Sequence, residues 1–175
     1  KGVPAERIGV MGASMGAGTV GIAFAQEERM ASVFLDSPFS NMGDIIVEEL
    51  TFRGYPVFLK DAGIFAGRVS SGEDLVAYNP IDGALNIGNR SMTIVHGKDD
   101  MRIRIHHGES LCEAATEAAE DPSKVTCWFE SSQLTFNSTN DGRVVEGHVT
   151  LMVTHTPMYE QRILTWANGL RGTST

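Results

Sequence analysis

Positive charge is scarce in this chain. Lys and Arg total 14 against 22 Asp and Glu, giving a net charge of -8 and an isoelectric point near 5.0. A general nucleic-acid binder needs a basic surface to neutralise phosphates, and electrostatic attachment to an anionic membrane needs the same. Long hydrophobic runs are missing too: none approaches the ~20 apolar residues that span a bilayer. Cysteine is reduced to two residues, Cys112 in a helix-like stretch and Cys127 in a strand-like one. Two isolated cysteines read as reduced, core-packing thiols rather than as a disulfide framework or a metal site. No secretory signal is visible, and the expected location is cytoplasmic. The first residue is Lys1, not Met, so the expectation is that something upstream was removed or not included. Asn89-Arg90-Ser91 and Asn137-Ser138-Thr139 match the glycosylation tripeptide, a pattern common by chance.

What the chain does have is alternation. With 175 residues it is one domain by length, without repeats, low-complexity tracts or a linker. Four short, near-continuous apolar runs stand out: "RIGVMG" (7–12), "ASVFLDSP" (31–38), "SMTIVHG" (91–97) and "KVTCWFES" (124–131). Runs of this kind suit strands covered on both faces, as in a parallel sheet between helices. Helix-like stretches separate or follow them. "SMGAGTVGIAFAQEERM" places Ala17, Val20 and Phe24 at helical spacing, although Gly18 and Gly21 weaken it. "HHGESLCEAATEAAED" is a good helix former with Pro122 just beyond its end. "TPMYEQRILTWANG" has Pro157 in its first turn and Gly169 at its end. The predicted fold class is therefore α/β: a mostly parallel sheet of about four strands flanked by helices.

Two segments interrupt the rhythm. Residues 39–90 form a long insertion with helical pieces in "MGDIIVEEL" and "PVFLKDAGIFAG", and with Phe39, Phe52, Tyr55, Phe58 and Phe65. Residues 132–147 read as a polar loop with a turn at "NDG".

In parallel α/β sheets, ligands bind beyond the carboxyl ends of the strands. Ser14 follows the first run, Asp36 ends the second, Asp99 and Asp100 follow the third, and His148 and His155 lie beyond the fourth. A serine, a carboxylate and a histidine in that order suggest a nucleophile, an orienting acid and a general base. Ser14 sits in "GASMG". The spacing suits a strained strand-to-helix turn in which Gly12 and Gly16 remove colliding side chains. The helix that starts after Ser14 points free N–H groups at the site, so the N–H of Met15 is placed to hold an oxyanion.

Together, "RIGVMGASMGAG", "LDSPF", "NPID", "VHGKDD" and "GHVTLMVTHTPMYEQRILTWA" resemble the α/β-hydrolase superfamily, in particular its serine-aminopeptidase-like and esterase branch. The resemblance covers nearly the whole chain. It implies Ser14 as nucleophile, Asp100 as acid and His148 as base, with Asp99 and His155 as the alternatives. His96 reads as a structural histidine, His106 and His107 as exposed residues opening a helix, and Asp36 as a brace for the loop into the insertion. The implied activity is cleavage of an ester, amide or thioester of a small acyl substrate, without metal or organic cofactor. The insertion, about 39–90, would form a cap whose Phe39, Met42, Phe52, Tyr55 and Phe58 line the substrate pocket. In the family the nucleophile follows the fifth of eight strands; here it follows the first. The chain therefore resembles the C-terminal half of the fold, a partial domain. The expectation is that a missing N-terminal segment or a second copy covers the open sheet edge. The alternative is a catalytically weak or inactive binding module that keeps the fold. A dinucleotide site fails because no tyrosine is followed by lysine at Tyr-x-x-x-Lys spacing, and a phosphate loop fails because no Lys-Ser/Thr follows the glycines.

Overall fold

The structure, a computed structural model, describes residues 2–74, 76–132, 135–137 and 144–170. Strands β1 (Gly9–Ala13), β2 (Ser32–Asp36), β3 (Ser91–Gly97) and β4 (Val125–Glu130) form one parallel sheet in the spatial order 1-2-3-4. Each connection between neighbours contains at least one helix. These are α1 (Met15–Gln26); then α2 (Met42–Phe52), α3 (Leu59–Ser71) and α4 (Pro80–Leu85); then α5 (Ile105–Ala118). The predicted strands and long helices are present, with ends shifted by a few residues.

Successive side chains of a strand point to opposite faces, and both faces of the central strands are covered. Val33 and Leu35 of β2 and Met92 and Ile94 of β3 pack with Ala17, Val20 and Phe24 of α1, Ala84 of α4, and Leu111 and Ala115 of α5. Phe34 and Val95 point the other way. They meet Trp128 of β4, Leu151 of α6 (Leu151–Thr154) and Tyr159 of α7 (Thr156–Gly169). Phe34 touches the rings of Tyr159 and Trp166 edge-on at 5.8 and 5.7 Å. Truncating so buried a ring costs about 3–5 kcal/mol. β1 pairs only with β2 among the described residues, and Met11 on it is 41% exposed.

The glycines that weaken α1 have a packing reason. A Cβ on Gly83 of α4 would collide with the carbonyl of Gly21, and one on Gly21 would press on Pro80. The small residues let α1 and α4 cross closely. α4 itself escaped the sequence reading, yet "NPID" carries its start: Pro80 at the first position, and Asp82 accepting from the N–H of Asn79 at 2.9 Å. Asn79 Oδ1 also accepts from Met42 N at 2.8 Å, which ties the start of α2 to the start of α4.

Three expectations need correction. Cys112 and Cys127 are not free thiols: they form a disulfide between α5 and β4, with Cα atoms 6.2 Å apart. One-dimensional spacing could not show that α5 packs back over β4 and brings the two together. His107 is not exposed. It is fully buried, because the first turn of α5 packs beneath the Ser40 loop. The segment 132–147 is not wholly loop, since β5 (Thr135–Asn137) and β6 (Val144–Glu146) pair antiparallel. The turn expected at "NDG" (140–142) and part of the tripeptide at 137–139 lie outside the described residues. No described helix is long and apolar enough to cross a membrane.

Candidate active site

The carboxyl ends of the strands meet at one rim. β1 passes into α1 through Ser14, which is held at φ 54°, ψ -125°. Only a strongly constrained backbone keeps a non-glycine residue there. The constraint is visible: Ser14 N donates to Asp36 O at 2.8 Å, extending the β1–β2 ladder, while Gly18 N donates to Ser14 O, starting the helix. A Cβ on Gly12 would collide with the carbonyl of Gly16, so the turn requires glycine at 12. Gly16 differs from expectation. A Cβ there meets nothing within 4 Å, so sterics among the described residues do not require it.

Asp100 lies on the turn after β3, buried, and its Oδ1 accepts from the N–H groups of Arg102 and Ile103, both at 2.9 Å. Its second oxygen, Oδ2, faces His148 Nδ1 at 2.8 Å. His148 Nε2 lies 2.8 Å from Ser14 Oγ. The three residues, spread over 134 positions, form one hydrogen-bonded chain. Since a carboxylate only accepts, Nδ1–H donates to Asp100, which leaves Nε2 to accept from the serine hydroxyl. An imidazole held this way can take a proton from the hydroxyl and keep the resulting positive charge beside a carboxylate.

Burial alone would raise the Asp100 carboxyl. Hydrogen bonds and charge from His148 and His96 outweigh it and hold the group down at about 2, below its ordinary 3.8. Asp100 is therefore ionised at neutral pH. Asp36, also buried, is pushed up by desolvation, against the opposing hydrogen bonds of Tyr159 and Ser37. Tyr159 OH donates to its Oδ2 at 2.6 Å, and burial together with that carboxylate raises the phenol. Asp36 braces the rim from beneath.

The loop that carries His148 shows what the sequence reading missed. Gly147 has φ +73°, and a Cβ there would collide with the backbone of Asp99 and Asp100. The glycine before the histidine lets the two loops touch, and this sets the distance from imidazole to carboxylate. The signal was present in "EGH" but went unused. Val149 next door is at φ 53° and Ser37 at φ 49°, and Val149 N donates to Ser37 Oγ at 3.3 Å. The positive-φ residues other than glycine that are described are Ser14, Ser37 and Val149, all at this rim. Backbone strain of order 1–3 kcal/mol each persists where the surroundings over-determine it, commonly at functional sites.

The alternatives sit elsewhere. Asp99 accepts from Ser131 Oγ and from Ser132 N and Oγ, tying the end of β4 to the turn after β3. His155 bonds Thr154 Oγ1 at 2.9 Å and meets Trp128 edge-on. His96 is fully buried, with Nε2 donating to Ile103 O at 2.7 Å, which steadies the Asp100 turn.

No protein-family profile and no curated protein matches this sequence. The structure does match others. It superposes on an esterase of Pyrococcus furiosus with TM-score 0.62 at 16% identity, over 93% of this chain and 54% of the esterase. It superposes on an acylaminoacyl peptidase of Pyrococcus horikoshii with TM-score 0.67 at 13% identity, over 98% of this chain and 25% of the peptidase. The chain has the α/β-hydrolase fold. A lipase-esterase related protein from Clostridium acetobutylicum shares this hydrolase fold less closely, with TM-score 0.52 at 14% identity, over 92% of this chain and 66% of that one. The chain spans about half the length of the Pyrococcus furiosus esterase.

Within this hydrolase fold a cleft of about 380 Å³ opens beside Ser14 and Met15. α2 supplies its apolar wall through Met42, Ile45, Ile46 and Leu50, with Phe39 and Ile103 closing it. Glu49 stands at the polar end, 3.3 Å from the guanidinium of Arg102. That ion pair links α2 to the Asp100 turn. Of the aromatic residues expected to line the pocket, Phe39 does and Phe52, Tyr55 and Phe58 do not; Tyr55 and Phe58 are 56% and 81% exposed. α1 begins at Met15, so its first N–H groups lack intrahelical acceptors, and Met15 lines this end of the cleft. A larger cleft of about 500 Å³ lies beside α7 against β3 and β4 and contains none of these groups.

Proposed function

We propose that this chain carries the nucleophile side of a serine hydrolase that cleaves a carboxylic ester, or an amide or thioester, through an acyl-enzyme. The observation that carries the reading is the relay Ser14–His148–Asp100, with both hydrogen bonds at 2.8 Å. Ser14 Oγ attacks the acyl carbonyl while His148 Nε2 takes its proton. Asp100 holds the tautomer and offsets the charge of the imidazolium. The Met15 N–H at the helix start holds the developing oxyanion. His148 returns the proton to the leaving group, and water repeats the sequence to free the acid. The α2 wall receives the apolar acyl chain, and α2 and α3 of the insertion 39–90 serve as the cap of a single partial domain, while α4 packs into the sheet core.

A fluorophosphonate probe tests this reading. Covalent labelling is expected in the wild type and absent in Ser14→Ala. Equal labelling of the two would remove Ser14 from the mechanism.

The second reading, a hydrolase-fold module with weak or no turnover, rests on a different observation. β1 pairs on one side only among the described residues, and Gly16 faces open space. A further segment or a second copy laid against β1 would cover that edge and could bring a second oxyanion donor. A loss of one such donor lowers turnover about 10²–10³-fold. Labelling at Ser14 without measurable turnover of p-nitrophenyl esters would favour this second reading.

A further inference from the structure

On the far side of α2 from the cleft, Glu48 faces the first turn of α5. Its Oε1 lies 2.6 Å from His106 Nε2 and its Oε2 lies 3.4 Å from His107 Nε2. The three donor atoms all fall within 4.8 Å of one another. Two of them have no good partner in this arrangement: Glu48 Oε2 and His107 Nε2 are both buried without a hydrogen bond. A buried polar atom left unpaired costs about 1–3 kcal/mol, so two such atoms facing each other call for a shared partner. Two imidazoles and one carboxylate are a donor set for a first-row divalent transition metal, not for calcium or magnesium, which prefer oxygen alone.

We propose that Glu48, His106 and His107 bind a divalent transition metal such as zinc, clipping α2 to α5. Ligand atoms about 2.0–2.1 Å from a tetrahedral zinc stand about 3.3 Å apart; Glu48 Oε2 lies 3.4 Å from His107 Nε2, Glu48 Oε1 lies 2.6 Å from His106 Nε2, and one donor atom from each of the three residues falls within 4.8 Å of the others. Ser40 holds the ring from its other side: its backbone N–H donates to His107 Nδ1 at 3.2 Å and its Oγ lies 2.8 Å from the same atom, so a metal at Nε2 requires Nδ1 to exchange the N–H bond for one donated to Oγ. His106 is half exposed, which gives the ion an entry from solvent, and water completes the coordination. The carboxylate of Glu48 offsets the unfavourable positive end of α5. Because α2 forms the cleft wall, the clip would hold that wall against the body of the protein. The site itself does not depend on the hydrolase reading.

The test is calorimetric titration of zinc into the purified, chelator-treated protein. One saturable site per chain is expected, with a melting temperature that rises with zinc concentration. Glu48→Gln and His106→Ala should each weaken the affinity at least tenfold with unchanged circular dichroism. His107→Ala empties a fully buried position, so the two partly exposed ligands carry the test. Magnesium should give no saturable heat. Absence of a zinc site, equal affinity in the wild type and both variants, or magnesium competing at similar concentration would each overturn the proposal.

Discussion

Replacing Asp100 by Asn changes one atom in shape and nearly everything in the relay. The side chain has two ends with different demands. Oδ1 accepts from two backbone N–H groups, those of Arg102 and Ile103, so the amide oxygen must take that end. The NH2 group is then forced to face His148 Nδ1, where it can only donate. Nδ1 must accept, so the ring proton moves to Nε2 and points at Ser14 Oγ. The imidazole can no longer take the serine proton. In serine proteases the equivalent change lowers kcat about 10⁴-fold, or about 5.5 kcal/mol, and the same loss is expected here. Stability should change far less than activity, and with a definite pH dependence. The wild-type carboxyl is held at about 2 against 3.8 when unperturbed, so its ionised form contributes about 2 kcal/mol. Because the folded value is depressed, that contribution is complete above about pH 4 and disappears as pH falls toward 2. The variant should be less stable by about this amount at neutral pH and should lose less on acidification. The rate of fluorophosphonate labelling, read beside urea unfolding at pH 7 and pH 3, measures both effects. Labelling within tenfold of the wild type, in a variant shown to be folded, would refute the argument.

The two glycines around the nucleophile should behave unequally. Gly12→Ala must displace the carbonyl of Gly16 and should abolish labelling, whereas Gly16→Ala meets nothing within 4 Å and should keep it, with stability unchanged or raised by about 0.5–1 kcal/mol. Melting and labelling of the pair decide this, and equal damage from both would contradict it. Tyr159→Phe removes the 2.6 Å bond to the buried Asp36 and should cost about 1–3 kcal/mol. Since burial already raises Asp36, its folded form favours the proton. Stability from that preference is present below pH 3.8 and lost as pH rises through the folded value, so the variant's deficit should grow between acid and neutral pH. Reducing Cys112–Cys127 reopens a loop of 15 residues and should cost about 3 kcal/mol, seen as a lower urea midpoint with dithiothreitol. No change on reduction would show that the bond does not form in solution.

Much of this molecule could be read in one dimension because the relevant physics is local. A strand buried on both faces needs a short continuous apolar run, and the four runs match the four strands within a few residues. A serine on a strand-to-helix corner needs a small residue two positions before it, and Gly12 is there. The rule that loops gather at the carboxyl ends of parallel strands then places Ser14, Asp36, Asp99, Asp100, His148 and His155 at one rim, and the resemblance narrows these to Ser14, Asp100 and His148. Short-range devices such as the "NPID" helix start were legible in the same way but were passed over.

Contacts between distant segments were not legible, because spacing along a chain says nothing about which surfaces will meet. Folding α5 over β4 turned two separate cysteines into a disulfide, and packing its first turn under the Ser40 loop buried His107 beside Glu48. Contact between the backbone at Gly147 and that at Asp99 and Asp100 set the 2.8 Å reach from imidazole to carboxylate. Composition and periodicity were enough for the four parallel strands and the long helices, and the resemblance to the α/β-hydrolase superfamily singled out Asp100 and His148 from Asp99 and His155. Distances, burial and protonation came from packing, since each depends on atoms that only folding brings together.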